Sequence, residues 1–434
     1  MWFAGFDKTV VAPIVPIEER EYFTAGYFGK NAITRVDDHS QCRAVVLGDG
    51  EKTVAVASLD FGGMARPFAL RIQDKVNEAL PGVFAQIDIV CTHTHTAIDI
   101  MGMFSLAEGC DMEFVDHVIG LTAETIINAY NSRKPGKLFR GMSRPEIMYD
   151  IETNPKRADT RLTRIRFAPD DGSKEIYLIH YTQHPVFRDV DDIAYISRDW
   201  PGVMCDLIDG FGKDSLFING AIGGANPGGT RWPPEWNGDP DYNRCDWYGT
   251  AVGWASLLIS EEKELAPAIK TAQGTANIPL ANHLFKMAHN AGFLHLVEEE
   301  NEDSEFNIGS VTEVGILILD DTKIAWFPGE VFPEIAINEG IADDYWVYPE
   351  REAEKGVNEI FGDGGYSLTV SLCNDHVGYI LTRRDFWVEE KNPYFNFEAL
   401  DPVRGRKHYQ CCTSTGPMTA GILTEKLAEL YSGI

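Results

Sequence analysis

The run QIDIVCTHTHTAID (residues 86–99) decides how the chain is read. Its first part, QIDIVCTH (86–93), has the apolar pattern of a buried strand, and it delivers His93 and His95 to the strand's end. A chain with only 11 histidines gains nothing in packing from placing two of them so close together. A metal site does gain, because neutral imidazole is the commonest metal ligand. Residues i and i+2 of a strand face the same side, so both rings are expected in one cavity, one as ligand and the other as proton shuttle.

Outward from this run the first third alternates. TVAVASLDF (53–61) reads as a strand and PFALRIQDKVNEAL (67–80) as a helix. After QIDIVCTH comes EFVDHVIGLTAETIINAYNSR (113–133), a long amphipathic helix. Strand, helix, strand, helix predicts an α/β fold in which mixed sheets are layered with helices. TRLTRIRFA (160–168) and EIYLIHYTQHP (175–185) form an expected hairpin around PDDGSK, and EVGILILDDTKIAWFPGE (313–330) forms another around DDTK. SLFINGAIGGANPGG (215–229) is a strand entering a glycine-rich loop, and LTVSLCNDHVGYIL (368–381) a strand broken by a polar cluster. The loop has no Lys following it as in a P-loop, so it reads as a tight turn. No Pro/Gly/Ser-rich linker divides the chain, which predicts one unit over 1–434, with 230–248 as an inserted loop or lid.

Composition narrows the partners. The formal net charge of −28 repels phosphate, which argues against nucleic acid or an anionic membrane and leaves a small-molecule substrate. No stretch reaches the ~18–20 uninterrupted apolar residues of a membrane span. The N-terminal MWFAGFDKTVVAPIVPIEER lacks the basic start, apolar centre and cleavage site of a secretory signal, so a cytoplasmic location is expected. Eight cysteines without CxxC spacing, among them the adjacent Cys411 and Cys412, are expected as free thiols. The sequence gives no signal of oligomeric state.

Further metal donors stop other apolar strands. His184 follows YLIHYTQ, Glu330 follows KIAWFPG, and Asn374, Asp375, His376 and Tyr379 follow LTVSL. Two imidazoles, a carboxylate and one more oxygen suit tetrahedral Zn2+, although Mn2+ and Fe2+ accept the same donors. Singly, each residue also has a plain structural reading, as strand-end histidine, turn glutamate or core tyrosine. Asp60, in LDFGG, is either an acceptor that orients a histidine or part of a turn. Asp199, in SRDWPG, is read first as the cap of the helix that follows and second as an acceptor behind a ligand. Trp232, Trp236 and Trp247 are read as loop packing before a sugar-binding lip.

Seven segments, in order, resemble the neutral/alkaline non-lysosomal ceramidase superfamily of zinc amidohydrolases. They are AGFDKTVVAP (4–13), SQCRAVVLGDGEKTVAVASLDFG (40–62), THTHT (92–96), HPVFRDVDDIAYISRDWPGVM (184–204), FINGAIGGANPGG (217–229), FPGEVFPE (327–334) and LCNDHVGYILT (372–382). The resemblance implies a ceramidase catalytic-domain-like fold, zinc held by His93, His184, Glu330 and Tyr379, and His95 as general base beside the activated water.

The departures matter as well. The family's loop serine falls on Asn226, and its downstream tyrosine falls near Phe397, for which His376 is a replacement donor. Its catalytic arginine corresponds to Arg157 or Arg161. TAIDIMGMF (96–104) replaces its glycine pair and puts Asp99 near the mouth. The family's further C-terminal β-sandwich domain is expected to be lacking. The expected function is hydrolysis of a C–N or C–O bond in a small polar amide, ester or lactone, with a sugar-derived compound included. His95 and His376 are its catalytic groups, and Asn226, Asp99 and Arg161 bind substrate. A metal-dependent lyase or isomerase, a true ceramidase and a non-catalytic carbohydrate-binding relative are the alternatives.

Overall fold

Alternation along the strands builds two stacked sheets in the computed structural model, which describes residues 1–26, 32–104, 109–145, 149–151, 158–188, 194–227, 240–337, 345–362 and 366–434. Among the described residues the large sheet has nine strands. Eight run in the order Asp214–Asn219, Ile176–Tyr181, Leu162–Pro169, Lys134–Ser143, Trp2–Val11, Ser40–Gly48, Thr53–Leu59 and Gln86–Cys91, with Glu262–Leu265 also paired to Lys134–Ser143. The pairs Thr53–Leu59/Gln86–Cys91 and Asp214–Asn219/Ile176–Tyr181 are parallel, and the other pairs are antiparallel. The smaller sheet orders Ile269–Pro279, Gly309–Leu319, Thr322–Trp326 and Ser367–Val370, with Glu298–Glu299 beside Gly309–Leu319. Both expected hairpins are present.

Every second side chain serves a different layer. Val45, Leu47, Val54, Val56, Val90 and Leu178 point to the space between the sheets, where they meet Leu317, Ile324, Trp326 and Val370. Their neighbours Ala44, Val46, Ala55, Ala57, Ile87 and Ile89 point outward. They pack under Ile72 and Val76 of helix Arg66–Ala79 and Val118, Ile119 and Ile126 of helix Met112–Asn131. Helices Asp199–Gly210 and Pro240–Leu257 cover the other end of that face over Ile179, Tyr181 and Phe217. Helix Thr419–Ser432 covers the outer face of the smaller sheet, where Leu423 and Leu427 join the cluster of Ile316 and Ile318. The result is a helix–sheet–sheet–helix stack. No helix among the described residues is long and apolar enough to cross a membrane. The eight cysteines are free thiols.

Two expectations need correction. Residues 230–239 of the supposed lid, with Trp232 and Trp236, lie outside the described residues, as does Arg157. From Pro240 the segment is helix rather than loop, and Trp247 stands exposed on it. LTVSLCNDHVGYIL is two short strands, Ser367–Val370 and Tyr379–Ile380, which belong to different sheets. The turn between them passes through left-handed backbone at Leu372 (φ 60°) and Asn374 (φ 59°), a conformation asparagine tolerates and leucine resists.

That turn joins the sheets. Cys373 forms a bridge with Val90, Cys91 N–H donates to Leu372 O (3.2 Å), and Ile89 N–H donates to Asn374 Oδ1 (2.9 Å). The end of strand Gln86–Cys91 is thereby fixed to the segment that leads to Tyr379. Because the inter-sheet core carries this alignment, Leu317→Ala is expected to lower unfolding free energy by ~2–5 kcal/mol in urea titration monitored by circular dichroism.

Candidate metal centre

The His93–His95 pair is positioned by a turn. The strand stops at Cys91, and His93 adopts φ 71°, so the two rings do not converge by strand alternation as the sequence suggested. His93 N–H donates to Phe61 O (3.0 Å), and its Nδ1 meets Gly62 O at a very short hydrogen bond. Beyond it, the hydroxyls of Thr94 and Thr96 donate to Ser197 O (2.9 and 3.1 Å), while Ser197 N–H donates to Thr96 O (2.7 Å). Pinned on both sides, the turn brings His95 Nε2 to 3.3 Å from His93 Nε2.

His184 follows strand Ile176–Tyr181, and both its backbone N–H (3.0 Å) and its Nδ1 (2.9 Å) engage Ala225 O. Glu330 sits in a two-strand parallel ladder with Tyr379 directly opposite. Its N–H donates to Gly378 O (3.0 Å). Gly378 has φ 81°, and an added Cβ there would lie 2.0 Å from Thr413 O, so only glycine fits. Asp375 Oδ1 accepts from the backbone N–H groups of Arg66 (3.0 Å) and His376 (2.8 Å), which fixes the residue before Glu330's third imidazole neighbour.

The electrostatics identify what the cluster could hold. His184 Nε2 lies 3.0 Å and His93 Nε2 3.4 Å from the same oxygen, Glu330 Oε2. In both rings Nδ1 faces a backbone carbonyl and so carries the proton, which leaves the Nε2 lone pair facing the carboxylate. Three electron-rich atoms then converge, an arrangement that a cation between them would stabilise. A proton is a poor candidate, because burial pushes the His93 imidazolium down to about 4 despite the attraction of Glu330. Neutral imidazoles around an ionised carboxylate are the donor set of a divalent metal, so the residues fit one. The donor atoms of His93, His95 and His184 lie within 4.8 Å of one another, as do those of His93, Glu330 and His376. His376 Nε2 is 3.6 Å from Glu330 Oε1, beyond hydrogen-bond length, and its ring stacks on His93 at 5.9 Å.

The cluster forms the floor of a cavity of about 630 Å3. Tyr379, Asn226 and Phe397 line it. Sequence reasoning missed four features. Gly62 O orients His93, a backbone role invisible in residue identity. Tyr409 adds a phenol to the wall, its ring 6.2 Å from that of Tyr379, and Glu398 and Lys407 place an ion pair at the rim. No motif marked these three.

Four nominated residues take other places. Asp99 is buried, and its carboxylate accepts from the N–H groups of Met101 (2.8 Å), Gly102 (3.0 Å) and Phe104 (3.2 Å). It shapes the loop that presents Met103 and Phe104 to the cavity and does not itself line it. Arg161 is engaged by Asp159 (2.7 and 2.8 Å) and Ser367 O (2.8 Å), away from the cavity wall. Asp60 accepts from Gln41 N–H (3.1 Å) and the Thr92 hydroxyl (3.3 Å), so it braces the strand end, and the acceptor orienting His93 is Gly62 O. Burial raises the Asp60 carboxyl to about 6. Asp199 accepts from Trp200 N–H (2.6 Å) at its helix start and from Arg188 N–H (2.7 Å). It fixes the segment after His184.

Stacked mixed sheets with helices outside, and a buried His/Glu cluster where strands end, define an α/β protein with a candidate metal centre. Its fold is that of solved ceramidases. The neutral ceramidase from Pseudomonas aeruginosa matches over 99% of this chain and 74% of its own, with a TM-score of 0.75 at 12% sequence identity. A ceramidase complexed with C2 matches over the same shares, with a TM-score of 0.73 at 13% identity. No protein-family profile and no curated protein sequence matches the chain.

If a cation resolves the clash of lone pairs, metal binding must stabilise the fold. Zn2+ added to chelator-stripped protein at ~100-fold above its dissociation constant is expected to contribute about 2.7 kcal/mol, read as a raised melting temperature. His184→Ala is expected to lose both that shift and bound metal in elemental analysis.

Proposed function

We propose that the chain is a metal-dependent hydrolase that cleaves a C–N or C–O bond in a small amide, ester or lactone carrying a polar group. The observation that carries this reading is the convergence of His93 and His184 Nε2 on one oxygen of Glu330, with a further imidazole, His95, 3.3 Å from His93. The likeness in fold to ceramidases supports it. His93, His184 and Glu330 would hold the ion, Zn2+ in our reading, with Tyr379 as the fourth donor from the strand paired to Glu330. A bound divalent ion supplies Lewis acidity, polarising a carbonyl and lowering the pKa of water toward ~7.

The chain's own groups do the rest. His95, half-buried at the cavity edge, is placed to accept a proton at Nε2 and return it to the leaving nitrogen or oxygen. Tyr409 offers a phenolic O–H on the same wall, and His376 a ring beside Glu330, as donors to the developing oxyanion. Met103, Phe104, Val186 and Phe397 make one wall apolar, which suits an acyl group, while Asn226, Glu398 and Lys407 suit a polar leaving group. The apolar wall also favours a second reading, a longer acyl amide such as ceramide.

His95→Gln is expected to lower kcat by ~10²–10⁴-fold while metal content stays at the wild-type level. Turnover in heavy-oxygen water is expected to place solvent oxygen in the released acid. A product free of it points instead to a lyase or isomerase, and rapid cleavage of a fluorescent ceramide favours the lipid substrate.

A further inference from the structure

The metal-centre cavity has a neighbour. A second cavity of about 420 Å3 is bounded by Phe332, Tyr345, Asp385, Arg406 and Gln410, and Lys407 and Tyr409 belong to the walls of both. Their shared wall is a fastened loop. The Asp401 carboxylate accepts from the N–H groups of Val403 (2.9 Å), Arg404 (2.5 Å) and Arg406 (2.9 Å) and lies 3.0 Å from His408 Nε2. Leu400 and Lys407 close the loop with a β-bridge.

The annex sets a donor beside an acceptor. Arg406 Nη2 pairs with Asp385 Oδ1 at 2.6 Å, so a guanidinium and a carboxylate stand together in its wall. Arg406 Nε is buried without a hydrogen bond among the described residues, 3.9 Å from Asp401 Oδ2. The guanidinium lies 5.0 Å from the Tyr345 ring centre, and Phe332, Tyr345 and Tyr409 give the walls aromatic faces. Donors and acceptors side by side, flanked by aromatic carbon, match a group that carries hydroxyls on a C–H-faced ring.

We propose that the annex binds a neutral polyhydroxylated group, of the hexose class, belonging to the molecule whose acyl carbon is cleaved at the metal centre. The hydroxyls exchange hydrogen bonds with Asp385 and Arg406, and the ring's C–H face packs on the aromatic walls. The word substrate rests on the hydrolase reading above, whereas the binding does not.

Binding to the metal-loaded full chain is measured by isothermal titration and saturation-transfer NMR, without reliance on turnover. The probes are N-acetyl-D-glucosamine and N-acetylethanolamine, which share an acetamide and differ in their hydroxyl-bearing ring. The sugar is expected to bind at least about tenfold tighter, and Asp385→Asn or Arg406→Gln to remove that margin at unchanged metal content and melting temperature. Equal affinity of the two probes for the wild-type chain overturns the proposal, as does a folded variant that keeps the full margin. The wild-type comparison decides alone if both variants unfold. Absent metal or absent turnover counts against the hydrolase reading and leaves the sugar-binding result standing.

Discussion

Two imidazole nitrogens and one carboxylate oxygen converge in a buried site, where the mutual repulsion of their lone pairs favours a cation. His93 and His184 each donate their Nδ1 proton to a backbone carbonyl, so neither ring can turn away from Glu330 without losing a buried hydrogen bond. In the low dielectric of the site such repulsion is poorly screened, and the same property makes the attraction of a divalent ion strong. The folded chain is in this sense prepared for an ion before one binds, as catalytic constellations need to be.

The segments that carry His93, His184, Glu330 and Tyr379 are distant in sequence and are tied to one another. Asp38 links the two histidine segments. Its Oδ2 takes Arg188 Nη1 (3.0 Å), four residues past His184, and the hydroxyl of Ser197 (3.0 Å), whose carbonyl holds Thr94 and Thr96 beside His93. Arg198 Nε adds a further bond to Asp38 (2.9 Å). The hydrogen bonds of Ile89 and Cys91 to Asn374 and Leu372 link the His93 segment to the one carrying Tyr379, and Tyr379 pairs with Glu330. The inter-sheet core of Val90, Leu317, Trp326 and Val370 then sets the distance across which these ties operate. Position at the metal centre is thus a consequence of strand register and a few polar staples rather than of the ligands themselves.

This explains what could be read from the sequence. Apolar periodicity carried helices Arg66–Ala79 and Met112–Asn131, strands Thr53–Leu59 and Gln86–Cys91 and both hairpins, because the period depends only on which face is buried, whereas helix Pro240–Leu257 was read as a loop. The donors were legible since strand-end histidines and a glutamate have little other use together, and the family resemblance supplied their grouping. Asp99 and Arg161 misled because a charge near a motif looks the same in sequence whether it faces substrate or a backbone N–H. Asp99 spends its oxygens on its own loop, and Arg161 spends its guanidinium on Asp159. Gly62 O was invisible because a carbonyl acts through geometry alone, and Tyr409 and Lys407 because they arrive on a loop without periodicity. The left-handed turn at His93 was hidden too, since the sequence there continues to look like a strand.

Anomalous diffraction from crystals of Zn2+-loaded protein, recorded on both sides of the zinc absorption edge, tests the central claim most directly. The account predicts one peak bonded to His93 Nε2, His184 Nε2 and Glu330, at ~2.0–2.2 Å from each. A zinc peak elsewhere in the molecule, with these three side chains still converged and nothing between them, contradicts it.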